Sequence, residues 1–199
     1  MSRPGLVQTL LRHCNEAARR HWLPATGGNL SLRLDERHCL ITASGVDKAN
    51  LSEADLVKVD LDGKVVEGPK PSAETLVHCA LYASDPAIKA VFHTHSVAST
   101  LLSRKTPGDT LWLEGYEMQK AIRGVTSHLE PLAIACFDNT QDMQALAQDI
   151  KARYAASPFV GGLLLKGHGL YAFGDSAEEA WRHLEGLEFL LQCEWEWRK

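Results

Sequence analysis

Two histidines separated by one residue, His93 and His95, are the part of the sequence best suited to chemistry. The apolar residues 90–92 before them are typical of a buried strand, in which alternate side chains point to the same face. Two neutral imidazoles on one face can bind a single metal ion. The competing interpretation is a pair of hydrogen-bonded histidines in an ordinary strand, and this motif alone does not decide between the two.

A third histidine, His168, favours the metal interpretation. It lies between Gly167 and Gly169, directly after an apolar stretch at residues 161–165 that predicts another buried strand. Glycines at such a place let the backbone approach another group closely. Three histidines that leave one coordination position open are the ligand set of a catalytic metal site rather than a structural one.

Two glutamates are candidates for acid–base chemistry. Glu74 lies near the start of a predicted helix for which Ser72 is the expected N-cap, and this helix leads into the histidine strand. Its alternative role is to compensate the helix dipole. Glu117 lies between the histidine strand and the next buried strand, and its alternative role is that of a solvated helix residue.

Two turns of small residues are candidates for binding an anion. The first, at residues 26–29, leads into a strand, and the second, at residues 43–45, ends the next strand. Backbone N–H groups, a hydroxyl and an amide suit a phosphate. Either turn alone is more simply a tight turn, but the two strands are predicted to form a hairpin, which would bring both turns together.

The rest of the chain alternates between helical and strand patterns, which predicts a single α/β domain over residues 1–199. Apolar stripes predict helices at residues 4–21, 72–85 and 97–102, another around 143–150, and a long final helix that begins after residue 176. Strands are predicted at residues 30–34, 39–42, 56–61, 64–67, 90–95, 111–113, 132–136, 159–165 and 170–173.

Composition excludes several classes of protein. The net charge of −4 and the lack of a dense Lys/Arg run argue against a nucleic-acid-binding protein. Five scattered cysteines without a Cys-x-x-Cys pair argue against a disulfide framework and for a reducing compartment. Since no signal-like or membrane-spanning apolar segment is present, we expect a cytoplasmic protein.

Taken together, these segments resemble the class II aldolase/adducin family. The matching motifs are TGGNLS at 26–31, ITASG at 41–45, SAE at 72–74, HTHS at 93–96 and GHG at 167–169. The resemblance implies a three-layer α/β/α sandwich with a central, mostly antiparallel sheet, assembled as a homotetramer. It also implies one Zn²⁺ per subunit, bound by His93, His95 and His168. For the phosphate of a sugar phosphate substrate, it implies binding near Gly28, Asn29, Ser44, Gly45 and Ser72.

The segment GYEMQKA at residues 115–121 is similar to a branch of the family that removes water from a methylthio sugar phosphate in methionine salvage. This resemblance makes Glu117 the expected acid/base, with Glu74 as a second candidate or as a metal ligand when substrate is absent. Where family aldolases have a second serine, this chain has Ala73, so one phosphate-binding hydroxyl is missing. Two alternatives stay open: an aldolase or 4-epimerase acting on fuculose or ribulose phosphate, and an adducin-like interaction module without catalysis.

Overall fold

A nine-stranded sheet forms the middle of the molecule in the computed structural model, which describes residues 3–199. The helices are α1 (Arg3–Arg19), α2 (Thr75–Ser84), α3 (Val97–Lys105), α4 (Met143–Ala156) and α5 (Ala177–Trp197). The strands are β1 (Asn29–Arg33), β2 (His38–Thr42), β3 (Leu56–Asp60), β4 (Val65–Glu67), β5 (Ala90–Thr94), β6 (Thr110–Leu113), β7 (Leu132–Phe137), β8 (Gly162–Leu165) and β9 (Gly169–Gly174).

The strand order across the sheet is β4-β3-β2-β1-β5-β9-β8-β7-β6. Every neighbouring pair is antiparallel except β7 and β8, which are parallel. The prediction of a mostly antiparallel sheet is therefore confirmed. Because β5 lies between β1 and β9, the sheet places the histidine strand next to the strand that follows the Thr-Gly-Gly-Asn turn and next to the strand that follows His168.

Helices cover both faces of the sheet, which confirms the three-layer sandwich. One apolar core joins α1, α3 and α5 to strand residues such as Leu30 and Phe92. The second core joins α2 and α4 to residues such as Ile41 and Val91. Phe92 and Val91 are consecutive and belong to different cores, as expected for a strand buried on both faces.

The starts of two helices bear on the two candidate glutamates. Helix α2 begins at Thr75, so that Glu74 rather than Ser72 occupies the N-cap position, and the Glu74 side chain makes no capping hydrogen bond. Glu117 begins a short 3-10 helix (Glu117–Ala121). A carboxylate that does not cap its own helix is available to other partners, and this is the situation of Glu74.

Across residues 3–199 no helix combines the length and the apolar character that crossing a membrane requires. All five cysteines are free thiols, and four of them are buried.

Candidate active site

The three histidines meet at one end of the sheet. His93 lies on β5, and His95 follows directly after that strand. Ser96 then caps α3 by accepting a hydrogen bond from the backbone N–H of Ser99. His168 lies in the tight turn between β8 and β9, and β9 pairs with β5. The antiparallel register therefore brings this turn beside the end of the histidine strand.

Their Nε2 atoms converge on one point. The Nε2–Nε2 distances are 2.8 Å between His95 and His93, 3.1 Å between His168 and His95, and 3.2 Å between His93 and His168. Tetrahedral zinc with Zn–N bonds of about 2.0–2.1 Å places its ligand atoms roughly 3.3 Å apart. In addition, the Nδ1 atom of His93 lies 2.9 Å from the carbonyl oxygen of Leu170, to which it donates a hydrogen bond, so its Nε2 keeps a free lone pair.

The surroundings keep these imidazoles neutral. Burial lowers the pKa of His93 well below its ordinary value, and the neighbouring His95 and His168 lower it further. Burial is also the main reason why the pKa of His95 falls to about 4. The pKa of His168 is lowered by burial, against the opposing effect of Glu74. Neutral, converging nitrogens are the form that a metal ion requires, so the three residues fit a metal site.

Glu74 lies beside this cluster, held by residues from the predicted phosphate turns. Its Oε2 atom accepts a hydrogen bond from the Nδ2 of Asn29 and another from the Oγ of Ser72, at 2.9 Å. Its Oε1 atom lies 3.8 Å from the Nε2 of His168. Asn29 also donates to the Oγ of Ser72, at 2.9 Å. The structure thus brings Asn29, Ser72 and Glu74 together at the edge of the histidine cluster.

The Thr-Gly-Gly-Asn turn packs against the histidine strand. A Cβ atom on Gly28, whose φ is +76°, would lie 2.8 Å from the carbonyl oxygen of His93. A Cβ atom on Gly27 would lie 2.9 Å from the Nδ1 of His95. Because no larger residue fits at either position without movement, the two glycines are required for this close approach.

The second turn reaches the same region through the loop that carries Ser72. Ala43 forms an isolated β-bridge with Pro71, and the backbone N–H of Ser44 donates to the carbonyl oxygen of Lys70 at 3.0 Å. Gly45 has a φ of +73° and open space where a side chain would be. The predicted convergence of the two turns is therefore present in the structure.

Sequence reasoning missed Lys48, which connects the two turns. Its side chain is 2% exposed, and its ammonium donates to the carbonyl oxygens of Thr26 and Val46 at 3.1 and 2.9 Å. No carboxylate within residues 3–199 forms an ion pair with it. A single lysine in a polar segment carries no sequence signal that separates it from a surface residue.

Within one chain, Glu117 lies apart from the histidine cluster. Its side chain is 70% exposed and pairs with Lys120 at 2.5 Å and with His128 at 3.1 Å. The hydrogen bond from Lys120 is the main reason why the pKa of Glu117 is lowered. Over residues 3–199 no hydrogen bond or ion pair joins Glu117 to the cluster.

Comparison with known proteins agrees with this geometry. The family model described as "Class II Aldolase and Adducin N-terminal domain" matches residues 8–195. The chain belongs to the class II aldolase and adducin family. Among its relatives in this family is the methylthioribulose-1-phosphate dehydratase of Serratia proteamaculans, 50% identical over 94% of this chain and 93% of the relative. The protein of the same name from Yersinia pestis is 52% identical over 93% of this chain and 84% of the relative.

Two solved structures have a similar fold. The l-fuculose-1-phosphate aldolase of Thermus thermophilus matches with a TM-score of 0.79 and 26% identity, covering 98% of this chain and 95% of that one. YgbL of Escherichia coli, described as a putative aldolase/epimerase/decarboxylase, matches with a TM-score of 0.79 and 27% identity, covering 95% and 87%. These likenesses agree with the class II aldolase fold expected from the sequence.

Proposed function

We propose that this protein is a methylthioribulose-1-phosphate dehydratase, a hydro-lyase of methionine salvage. It converts 5-methylthioribulose 1-phosphate into 2,3-diketo-5-methylthiopentyl 1-phosphate and water. The observation that carries the proposal is the identity of about 50% over nearly the whole chain to proteins of that name. The metal-competent histidines beside two anion-binding turns supply the chemistry that this reaction needs.

Zinc bound by His93, His95 and His168 is part of the proposal. The convergence of three neutral Nε2 atoms supports it, since imidazole sets of this kind suit Zn²⁺. When bound, the ion supplies Lewis-acid chemistry to the ketone oxygen of the substrate, which acidifies the neighbouring C–H group.

The phosphate of the substrate lies, in this proposal, between the two turns. Gly28 and Asn29 contribute from the first turn, Ser44 and Gly45 from the second, and Ser72 from the adjoining loop. Lys48 adds a positive charge between the turns, because its buried ammonium has no carboxylate partner in the described chain and a phosphate would compensate it. This charge also offsets the hydroxyl that is missing at Ala73.

The reaction requires a base for the C3 proton and an acid for the C4 hydroxyl, which departs as water. The remaining enol then becomes the diketone. We assign this role to Glu117, with Glu74 as the second candidate. For Glu117 to act near neutral pH, its lowered pKa has to rise, and burial against another chain would raise it.

A homotetramer in which a neighbouring chain brings Glu117 to the histidines would provide that burial. Its support is the exposed apolar surface next to both groups. Val97, two residues after His95, is 70% exposed, and Met118, beside Glu117, is 41% exposed. Exposed apolar side chains at such positions are typical of contact surfaces between subunits.

The proposal also covers the cellular compartment and the domain organisation. The five free thiols support a reducing compartment such as the cytoplasm. The single sheet that runs through the described residues supports one domain over residues 1–199.

The deciding experiment is a dehydration assay on methylthioribulose 1-phosphate with purified, zinc-loaded protein, in which diketone formation is followed. Fuculose 1-phosphate and ribulose phosphates are assayed in parallel. We expect turnover of the methylthio sugar alone. Cleavage or epimerisation of the other sugars without dehydration would transfer the function to the aldolase or 4-epimerase alternative, which the 26% identity to an l-fuculose-1-phosphate aldolase favours more weakly.

A further inference from the structure

His78 is a buried histidine on α2 that belongs neither to the metal cluster nor to the phosphate turns. Its side chain is fully buried and contacts β1 from α2, the helix that follows Glu74. Burial alone lowers its pKa to about 3, so the imidazole stays neutral. A neutral imidazole has one donating and one accepting nitrogen, and its neighbours decide which is which.

Both ring nitrogens have partners on β1. Nε2 lies 2.5 Å from the Oδ1 of Asn29, and Nδ1 lies 2.7 Å from the Oγ of Ser31. The Oγ of Ser31 lies in turn 2.8 Å from the hydroxyl of Tyr82. The three side chains of Asn29, His78 and Ser31, together with Tyr82, therefore form a continuous buried chain of hydrogen bonds that ends at the active site.

The orientation of the Asn29 amide sets the direction of this chain. Its Nδ2 donates to Ser72 and Glu74, so its Oδ1 faces His78 and can only accept. The proton of His78 therefore resides on Nε2, and Nδ1 accepts from the hydroxyl of Ser31. That hydroxyl accepts in turn from Tyr82. Every polar group in this chain is satisfied in one consistent arrangement, which buried networks require.

We infer that His78 is a positioning residue, which acts through Asn29 to hold the carboxylate of Glu74 at the histidine cluster. If the amide of Asn29 rotated by half a turn, its oxygen would face the Glu74 carboxylate, and the two acceptors would repel each other. The Nε2–H of His78 prevents this rotation because it requires an acceptor opposite it. The inference rests on the proposed function, in which Asn29 and Glu74 act on the substrate.

A double-mutant cycle tests whether His78 acts through Asn29. The variants are His78→Leu, Asn29→Ala and the combination of both, each loaded with zinc and assayed for kcat and KM. We expect each single change to lower kcat/KM by roughly 10–100-fold, the loss typical of a buried donor or acceptor left without its partner. In the Asn29→Ala background, His78→Leu should lower kcat/KM only slightly further, because Asn29, through which His78 acts, is already absent. Additive losses would overturn the inference.

Two control variants separate positioning from a general packing defect. His78→Gln keeps a donor and an acceptor, and it should recover part of the activity that His78→Leu loses. His13→Leu removes another buried histidine, one whose Nδ1 donates to the carbonyl oxygen of Thr9 within α1. It should lower stability while kcat/KM stays within about twofold of the wild type. An equal loss of kcat/KM in His13→Leu and His78→Leu would identify a packing effect and reject positioning.

The proton position on His78 provides a readout that is independent of substrate. In ¹⁵N-labelled protein, the ring nitrogens of His78 should show the Nε2–H tautomer at pH 7, and Ser31→Ala should weaken that preference. An Nδ1–H tautomer in the wild type would overturn the inference even if dehydration is observed. If the wild type instead fails to dehydrate methylthioribulose 1-phosphate, the proposed function fails, and the cycle is run on whichever sugar phosphate is turned over.

Discussion

The ring of Tyr171 lies flat against the ring of His93, with the centroids 3.8 Å apart and the planes 10° from parallel. Tyr171 is on β9 and His93 is on β5, where the two residues are direct antiparallel partners. Since the Nδ1 of His93 is also fixed by Leu170, both the plane and the rotation of this imidazole are set before any metal binds. Preorganisation of a ligand in this way favours metal binding.

The hydroxyl of Tyr171 is buried and has no hydrogen-bond partner within residues 3–199. Tyr171→Phe keeps the stacking ring and removes the unsatisfied group, so it should raise the free energy of unfolding by about 1 kcal/mol and leave zinc content unchanged. Tyr171→Leu, which removes the ring, should lower zinc affinity. Chemical unfolding and metal titration measure both effects, and a destabilised Tyr171→Phe protein would mean that the hydroxyl has a partner.

Metal binding should depend on His95. In His95→Ala the fold should persist, because the residue lies after the strand, whereas zinc and activity should both be lost. Elemental analysis, circular dichroism and the dehydration assay measure the three properties. The matched control is His38→Ala on β2, whose imidazole pairs with Asp35 and which should retain zinc. An active His95→Ala protein with a full complement of metal would contradict the site.

Metal-free protein should lose stability as the pH falls from 7 to 5. His78 and His95 have pKa values of about 3 and about 4 in the folded chain, against an ordinary 6.5. Below pH 6.5 the unfolded chain therefore binds protons that the folded chain does not, which favours unfolding. Each residue should lower the free energy of unfolding by about 2 kcal/mol between pH 7 and pH 5. Urea unfolding in EDTA at both pH values tests this, and His95→Asn should show a correspondingly smaller loss.

Lys48→Met should weaken phosphate binding. Removing the buried charge between the turns should raise KM by roughly 10–100-fold with a smaller change in kcat, and it should reduce inhibition by inorganic phosphate. Lys151→Met is the control, since it removes the same charge from the exposed surface of α4. If KM for the phosphorylated substrate stays the same in Lys48→Met, the lysine only holds the two turns together.

Glu117→Gln should retain zinc and lower dehydration by roughly 10²–10⁴-fold, as expected when a general acid/base is removed. Mixing this variant with His95→Ala subunits, followed by reassembly, tests where Glu117 acts. If Glu117 serves a neighbouring chain, equal mixing should restore about one site in four. Mixed assemblies that stay as inactive as their parents would place Glu117 within its own subunit's site.

The sequence predicts the elements that carry a strong local pattern. The His-x-His strand and the convergence of two small-residue turns follow from alternation and hairpin pairing, and both are present. The family motifs add the sheet type and the three layers. The position of His168 relative to β5 could not follow from periodicity, since it depends on the pairing of strands far apart in the chain.

Other features depend on side-chain partners that sequence does not reveal. In the sequence, His78 resembles any other helix residue and Lys48 resembles a surface lysine. Their burial is evident only in the folded structure. Glu74 was expected in the first turn of α2, whereas it precedes that helix and hydrogen-bonds to Asn29 instead. The exposure of Glu117 within one chain follows from tertiary packing, so its contribution to the site remains a prediction.

In the sheet register, Asn29 and His93 are direct partners across β1 and β5. Paired residues project to the same face, with their Cα atoms about 4.5–5.5 Å apart. The hydrogen bonds between β1 and β5 fix this separation, so the sheet sets the distance between the backbones of Asn29 and His93. A molecule that contacts both Asn29 and the histidine cluster is therefore selected by the distance between its two contacting groups. Changes in the loops around the site can alter contacts with the rest of the molecule, whereas the distance between Asn29 and His93 is fixed by the sheet.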